Sequence, residues 1–157
     1  MHARVTAILV ARNGAKHLER TLEALSRQTR QPDVVITVDC GSTDNTAELL
    51  AAYAPTHFIS ADAGLSFGAA IAAAVRVIAP AESDREMLWL LAQDSAPEPG
   101  ALAALLGELE IAPSVAVAGT KVIDWGAGDY IHDIGHSLTA CGATVNLVEI
   151  ELDLCQH

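Results

Sequence analysis

Positive charge, aromatic residues, cysteine and long apolar runs are all scarce in this chain of 157 residues. Lysine and arginine number 9 against 20 aspartates and glutamates, for a formal net charge of -11. So acidic a surface repels nucleic acid and anionic lipid, and neither is expected as a partner. A small anionic ligand stays compatible if a metal ion or a helix N-terminus neutralises it locally. The three cysteines, Cys40, Cys141 and Cys155, are scattered and form no metal-ligand spacing, which fits a reduced, cytoplasmic compartment. No uninterrupted apolar run reaches the roughly 20 residues of a membrane span. Residues 1–4 run straight into an apolar strand of about seven residues, too short for a secretory signal.

What the chain does have is apolar content, 51% against 18% charged residues, which excludes a disordered polymer. Its length suits one domain that buries roughly 70% of its unfolded surface. VTAILVA at 5–11, VVITV at 34–38 and EMLWLLA at 86–92 are continuous apolar runs bounded by turn residues, and THFIS at 56–60 is a shorter one. Between them Leu18, Leu22 and Leu25 recur at helical spacing, as do Leu49, Leu50 and Tyr53. An Ala-rich helix is expected from Gly64–Gly68 to near Pro80, and another from Pro97-Glu98-Pro99 through Leu102, Leu105, Leu106 and Leu109. SVAVAGTKVI at 114–123 predicts a further strand. Two alternating runs, 131–139 and 145–154, suit antiparallel or edge strands. Apolar strands alternating with amphipathic helices predict an α/β fold with a mainly parallel sheet covered on both faces. Ligands of such sheets bind at the carboxyl ends of the strands.

Three loops at those ends carry acids. Val38 to Thr46, VDCGSTDNT, places Asp39 where a carboxylate can accept hydrogen bonds from a nucleobase or ribose. Ser42 or Thr43 is expected to cap the next helix, with Asp44 placed against its dipole; turn and cap chemistry is the alternative for the whole loop. Asp62 to Ala70, DAGLSFGAA, sets Gly64 and Gly68 at a helix start, where free N–H groups suit phosphate or the glycines simply turn the chain. Gln93-Asp94 follows the strand ending at Ala92. An acid there can hold a hard divalent cation that shares diphosphate oxygens, or cap the next helix.

The order of VTAILVARNG, Gln28-Thr29, VDCGSTDNT, DAGLSFGAA and LAQDSAPEPGAL resembles the nucleotide-sugar half of a family 2 glycosyltransferase, with its GT-A fold. The wording of VARNG and DSAPEPGAL is similar to that of large bacterial members that build cell-envelope polysaccharide. The resemblance implies a Rossmann-like three-layer αβα sandwich with antiparallel C-terminal strands. It implies that Ala11, Arg12 and Asp39 hold the base, that Gln93 stands where an acid contacts ribose, and that Asp94 binds Mg²⁺ or Mn²⁺. Gly64 and Gly68 complete the implied donor site. Cys40 and Gln93 depart from the family's acids, which weakens the site's charge complementarity. Pro99 and Leu102 match structural positions.

The implied reaction is inverting transfer of a sugar from a nucleoside diphosphate to a glycan or glycolipid acceptor. The family's general base lies beyond the last residue, His157, so no catalytic residue is assigned. The chain is expected to be the front of a longer enzyme, with residues 1–123 binding the donor and 124–157 beginning the acceptor side. That parent is expected in the cytoplasm or at the inner membrane face, and an uncovered acceptor side makes self-association possible. Asp124, Asp129, Asp133 and Glu149 would be the alternative bases if the short chain transfers sugar. A catalytically inactive nucleotide-binding or scaffold module of the same fold is the alternative. A phospho-receiver is disfavoured because the first strand ends in Arg12-Asn13 rather than in acids. His132 and His136 have the spacing of a helical zinc pair, but the segment around Gly135 predicts turn and strand. Lys121 is expected to be a surface residue at a strand end.

Overall fold

Seven of the eight residues of the first strand, Val5 to Ala11, are buried, so elements must cover it on both faces. A computed structural model describes residues 3–153 other than Glu82, Asp84, Pro113, Ala127, Asp129, Gly142 and Glu149. The described elements run β1 (Arg4–Ala11), α1 (Ala15–Ser26), β2 (Val34–Asp39), α2 (Thr46–Ala52), β3 (His57–Ser60), α3 (Phe67–Val75), β4 (Glu86–Ala92) and α4 (Ala101–Ile111). They continue as β5 (Val122–Ile123), β6 (Tyr130–Asp133), β7 (His136–Leu138), β8 (Thr144–Asn146) and β9 (Glu151–Leu152). The chain forms two compact units, Met1–Ala103 and Ala104–His157.

In the first unit four parallel strands stand in the order β3-β2-β1-β4. The chain steps outward from β1 to β3 and then returns to the far side of β1. Right-handed crossovers therefore put α1 and α2 on one face and α3 on the other. On the α3 face Ile8, Val10, Ile36, Val38 and Cys40 pack with Ala70 and Ala74. The small alanines let that helix approach closely. Leu18, Leu22 and Leu25 of α1, Leu50 of α2 and Leu102 of α4 are buried. Strand β4 is covered unequally: Trp89 and Leu91 are buried, whereas Leu88 and Leu90, which share the Ile8 side of the sheet, are about half exposed.

The second unit holds the antiparallel pairs β5-β6-β9 and β7-β8. Two expectations need correction. The predicted strand over 114–123 pairs only at Val122–Ile123; Val115 and Val117 are exposed, and apolar composition without a hydrogen-bonding partner does not make a strand. The Ala-rich helix is regular only to Val75. Val77 and Ile78 then donate to Ala74 and Val75, three residues back, in tightened turns. Around Gly135 (φ 112) the chain passes between β6 and β7, so His132 and His136 share no helix. His132 instead meets Asp124 at 3.1 Å, and Lys121 pairs with Asp153 at 2.6 Å.

Candidate functional site

Every residue proposed for the donor site lies in the first unit, at or just beyond the carboxyl ends of β1 to β4 or at the start of α3. Sheet register sets the spacing: Ala11 is opposite Asp39, Asp39 is opposite Ser60, and Val10 is opposite Ala92. The direction of travel reverses between β1 and β4, the position where open α/β sheets leave a ligand crevice.

The loop after β1 is held from both sides. The amide of Arg12 donates to Gln93 Oε1 at 2.6 Å. Gly14 leaves room for that side chain, since a Cβ there would lie 2.6 Å from the same oxygen and push Gln93 aside. Gln93 is fixed again through its carbonyl, which accepts the Thr21 hydroxyl of α1 at 2.8 Å. The side chain expected at ribose thus has an intramolecular partner in the Arg12 amide expected at the base. Ala11 is likewise engaged, its carbonyl accepting the Cys40 amide at 2.9 Å.

On the other side the β2–α2 loop meets the β1–α1 loop through five hydrogen bonds, four of them donated by backbone amides. The Asn13 amide donates to Ser42 Oγ at 2.9 Å, and the Thr43 amide donates to Asn13 Oδ1 at 2.8 Å. The Gly14 amide donates to Thr46 Oγ1 at 2.8 Å, and the Ala15 amide to Asp44 Oδ2 at 3.2 Å. Helix α1 starts without a side-chain cap of its own, so Thr46 and Asp44 cap it from the next loop. The expected capping of α2 by Ser42 or Thr43 is corrected: Asp44 Oδ1 accepts the Thr46 amide, while Ser42 and Thr43 face Asn13. The hydrogen bond from Thr46 and the amides of Thr46 and Ala15 outweigh desolvation and hold the Asp44 carboxyl below its ordinary value. The sequence marks Arg12-Asn13-Gly14 as a turn, but not the bonds that Asn13 makes to the next loop. The signal was present, because Asn before Gly at a strand end favours the left-handed backbone it adopts (φ 48).

Asp39 is buried at 4% exposure, with its carboxylate 3.3 and 3.4 Å from the Ser42 amide. Cys40 beside it lies in the core, and burial and the Asp39 charge push its thiol pKa up against the pull of Arg12. Gly41 (φ 66) brings this loop onto the next one, since a Cβ there would lie 2.7 Å from the Ala63 amide nitrogen. Gly64 and Gly68 have open space around them, and Ser66 Oγ caps α3 by accepting the Ala69 amide at 3.3 Å. Asp94 is exposed and forms no hydrogen bond with a described residue. Among the described residues no three His, Cys, Asp or Glu side chains converge as a metal-binding group. Asp94 still fits a hard cation that takes one or two carboxylates and fills its remaining positions with substrate phosphates and water.

These loops on a parallel four-stranded sheet belong to a GT-A-type fold. The chain belongs to glycosyltransferase family 2, whose model, Glycosyl transferase family 2, matches residues 6–151. Solved structures share the fold. Staphylococcus aureus TarS 1-349 in complex with UDP-GlcNAc is 17% identical with a TM-score of 0.55, over 69% of this chain and 31% of that one. Mycobacterium tuberculosis glucosyl-3-phosphoglycerate synthase, in complex with Mn²⁺, UDP and glucosyl-3-phosphoglycerate, is 18% identical with a TM-score of 0.54, over 78% of this chain and 43% of that one. The chain therefore spans less than half the length of either structure. No curated protein sequence matches it at a significant level. Among the described residues no helix is long and apolar enough to cross a membrane.

Proposed function

We propose that this chain binds a nucleoside-diphosphate sugar for inverting transfer to a glycan or glycolipid acceptor of the cell envelope. The observation that carries the reading is the meeting of the Arg12, Asp39 and Gln93-Asp94 loops at one sheet edge in a family 2 chain. Uridine is the first base to test, because TarS and the phosphoglycerate synthase are described as UDP complexes. Asp39 accepts hydrogen bonds from the base or ribose, the loop around Arg12 lines the base, and the amides at Gly64 and Gly68 face the diphosphate. Asp94 is the carboxylate that would hold Mg²⁺ or Mn²⁺. A bound cation supplies charge neutralisation for the leaving diphosphate. The acceptor oxygen forms the new bond to the anomeric carbon as the bond to the diphosphate breaks, and the acceptor's proton passes to a general base.

Residues 1–123 make the donor part in this proposal and residues 124–157 begin the acceptor side. Of the alternative bases, Asp129 and Glu149 lie outside the described residues, as do Leu154 to His157. Asp124 meets His132 and Asp133 accepts the Gly135 amide at 2.7 Å, so both already have local partners.

Calorimetric titration with UDP and UDP-sugars, with and without Mn²⁺, tests the reading. Metal-dependent binding that falls roughly 10–100-fold in Asp94→Ala with the fold intact supports it. Unchanged affinity in that variant removes Asp94 from the site, and no binding by the unaltered chain favours an inactive module. Asp39→Asn should weaken binding without unfolding the domain.

A further inference from the structure

We propose that Asn13 is a positioning residue that sets the spacing between the Arg12 peptide and the Asp39 carboxylate; the inference rests on the donor-site reading above. Its amide donates to Ser42 Oγ at 2.9 Å, and the Ser42 amide is directed at both Asp39 carboxylate oxygens, 3.4 and 3.3 Å away. Ser42 thus joins the peptide beside Arg12, through its hydroxyl, to the buried acid, through its own amide. Asn13 secures the join from the other direction, its Oδ1 accepting the Thr43 amide at 2.8 Å and the Thr43 hydroxyl at 3.3 Å.

Both requirements fall on one residue. The backbone at Asn13 is left-handed (φ 48), a region that glycine and asparagine tolerate and most side chains do not. Glycine supplies that backbone without the oxygen; asparagine supplies both. Arg12 is at the same time drawn the other way, to Gln93. Without the Asn13 side chain, the β1–α1 loop keeps its own backbone-amide bonds at Asn13, Gly14 and Ala15, and the Ala11–Cys40 bond fixes the strand end before it, but no side chain of the loop reaches back to the Thr43 peptide. Displacement of a contact group by about 1 Å is enough to lose much of its binding or rate contribution.

The test uses UDP with Mn²⁺ as the titrant, and thermal midpoints as the control for folding. Asn13→Gly keeps the left-handed backbone and removes the oxygen; affinity is expected to fall about tenfold while the midpoint moves little. Asn13→Asp restores an acceptor at the same position and should recover most of the affinity. In an Asp39→Asn background the Asn13→Gly effect should shrink, because the residue acts through that carboxylate. Ser42→Ala severs the same link without touching the backbone and serves if Asn13→Gly does not fold. Affinity unchanged in Asn13→Gly or Ser42→Ala overturns the proposal, as do losses that simply add to that of Asp39→Asn or that Asn13→Asp does not recover. If the unaltered chain binds no UDP, the donor-site reading fails and this inference falls with it. UDP binding that survives both substitutions overturns this inference alone.

Discussion

Cys40 shows how one residue can follow a buried environment rather than a motif. It occupies the place of an acid in the resemblance, yet it lies at 2% exposure among Ile8, Val38 and Ala70. Reinstating the acid is expected to fail. Cys40→Asp would set a second carboxylate beside Asp39 inside an apolar cluster and lower stability by at least about 2 kcal/mol, read by urea denaturation. Thr37 offers the opposite case. Its hydroxyl is buried with no partner among the described residues, so Thr37→Val should raise stability by about 1 kcal/mol. Asp33 gives the pH dependence. Desolvation raises its pKa, but the Arg30 hydrogen bond, the Val5 amide and the charges of Arg30 and Arg4 outweigh it and leave the carboxyl below its ordinary value. A depressed carboxyl stabilises above its unfolded pKa and loses that contribution as pH falls through the folded value. The stability gap between the protein and Asp33→Asn should therefore be full near neutrality and close below about pH 4. A gap that widened in acid would contradict the assignment.

At the scale of elements, two helices take caps from distant loops. Helix α1 is capped by Asp44 and Thr46, and α4 by Gln28 at the other end of α1. Gln28 is buried; its Oε1 accepts the Leu102 amide at 3.1 Å and its Nε2 donates to the Glu98 carbonyl at 2.7 Å. The Thr29 amide adds a bond to the Pro99 carbonyl at 2.7 Å. Gln28→Ala removes a buried donor and acceptor together and is expected to cost about 2–3 kcal/mol, with amide exchange at Leu102 rising first. Capping rules are local, which is why the sequence pointed Ser42, Thr43 and Pro97 toward the helices that follow them. Strands β1, β2 and β4 were legible because burial leaves continuous apolar runs. The run at 114–123 looked the same, but a strand is defined by its neighbour as well as by its side chains. Of the candidate site, acids and glycines at strand ends were readable. The bond between Arg12 and Gln93, 81 residues apart, was not, because only sheet order brings β4 beside β1.

For the whole molecule, the formal charge of -11 opposes the approach of an anionic donor. At a fixed Mn²⁺ concentration, UDP association should speed up as sodium chloride rises from about 20 to about 200 mM, because screening weakens a like-charge field. A rate that fell with salt would point to a basic steering patch instead. The five bonds between the β1–α1 and β2–α2 loops also have a consequence in time. All of them link residues 29 to 32 positions apart and require β1 and β2 to be already in register. Interactions that form after the rate-limiting step leave the folding rate alone and govern escape from the native state. Thr46→Val, which removes the acceptor for the Gly14 amide with little change of shape, should steepen nothing in refolding yet shorten the native half-life. The clasp then works as a clock as well as a brace, and the lifetime of the folded chain is what it lengthens.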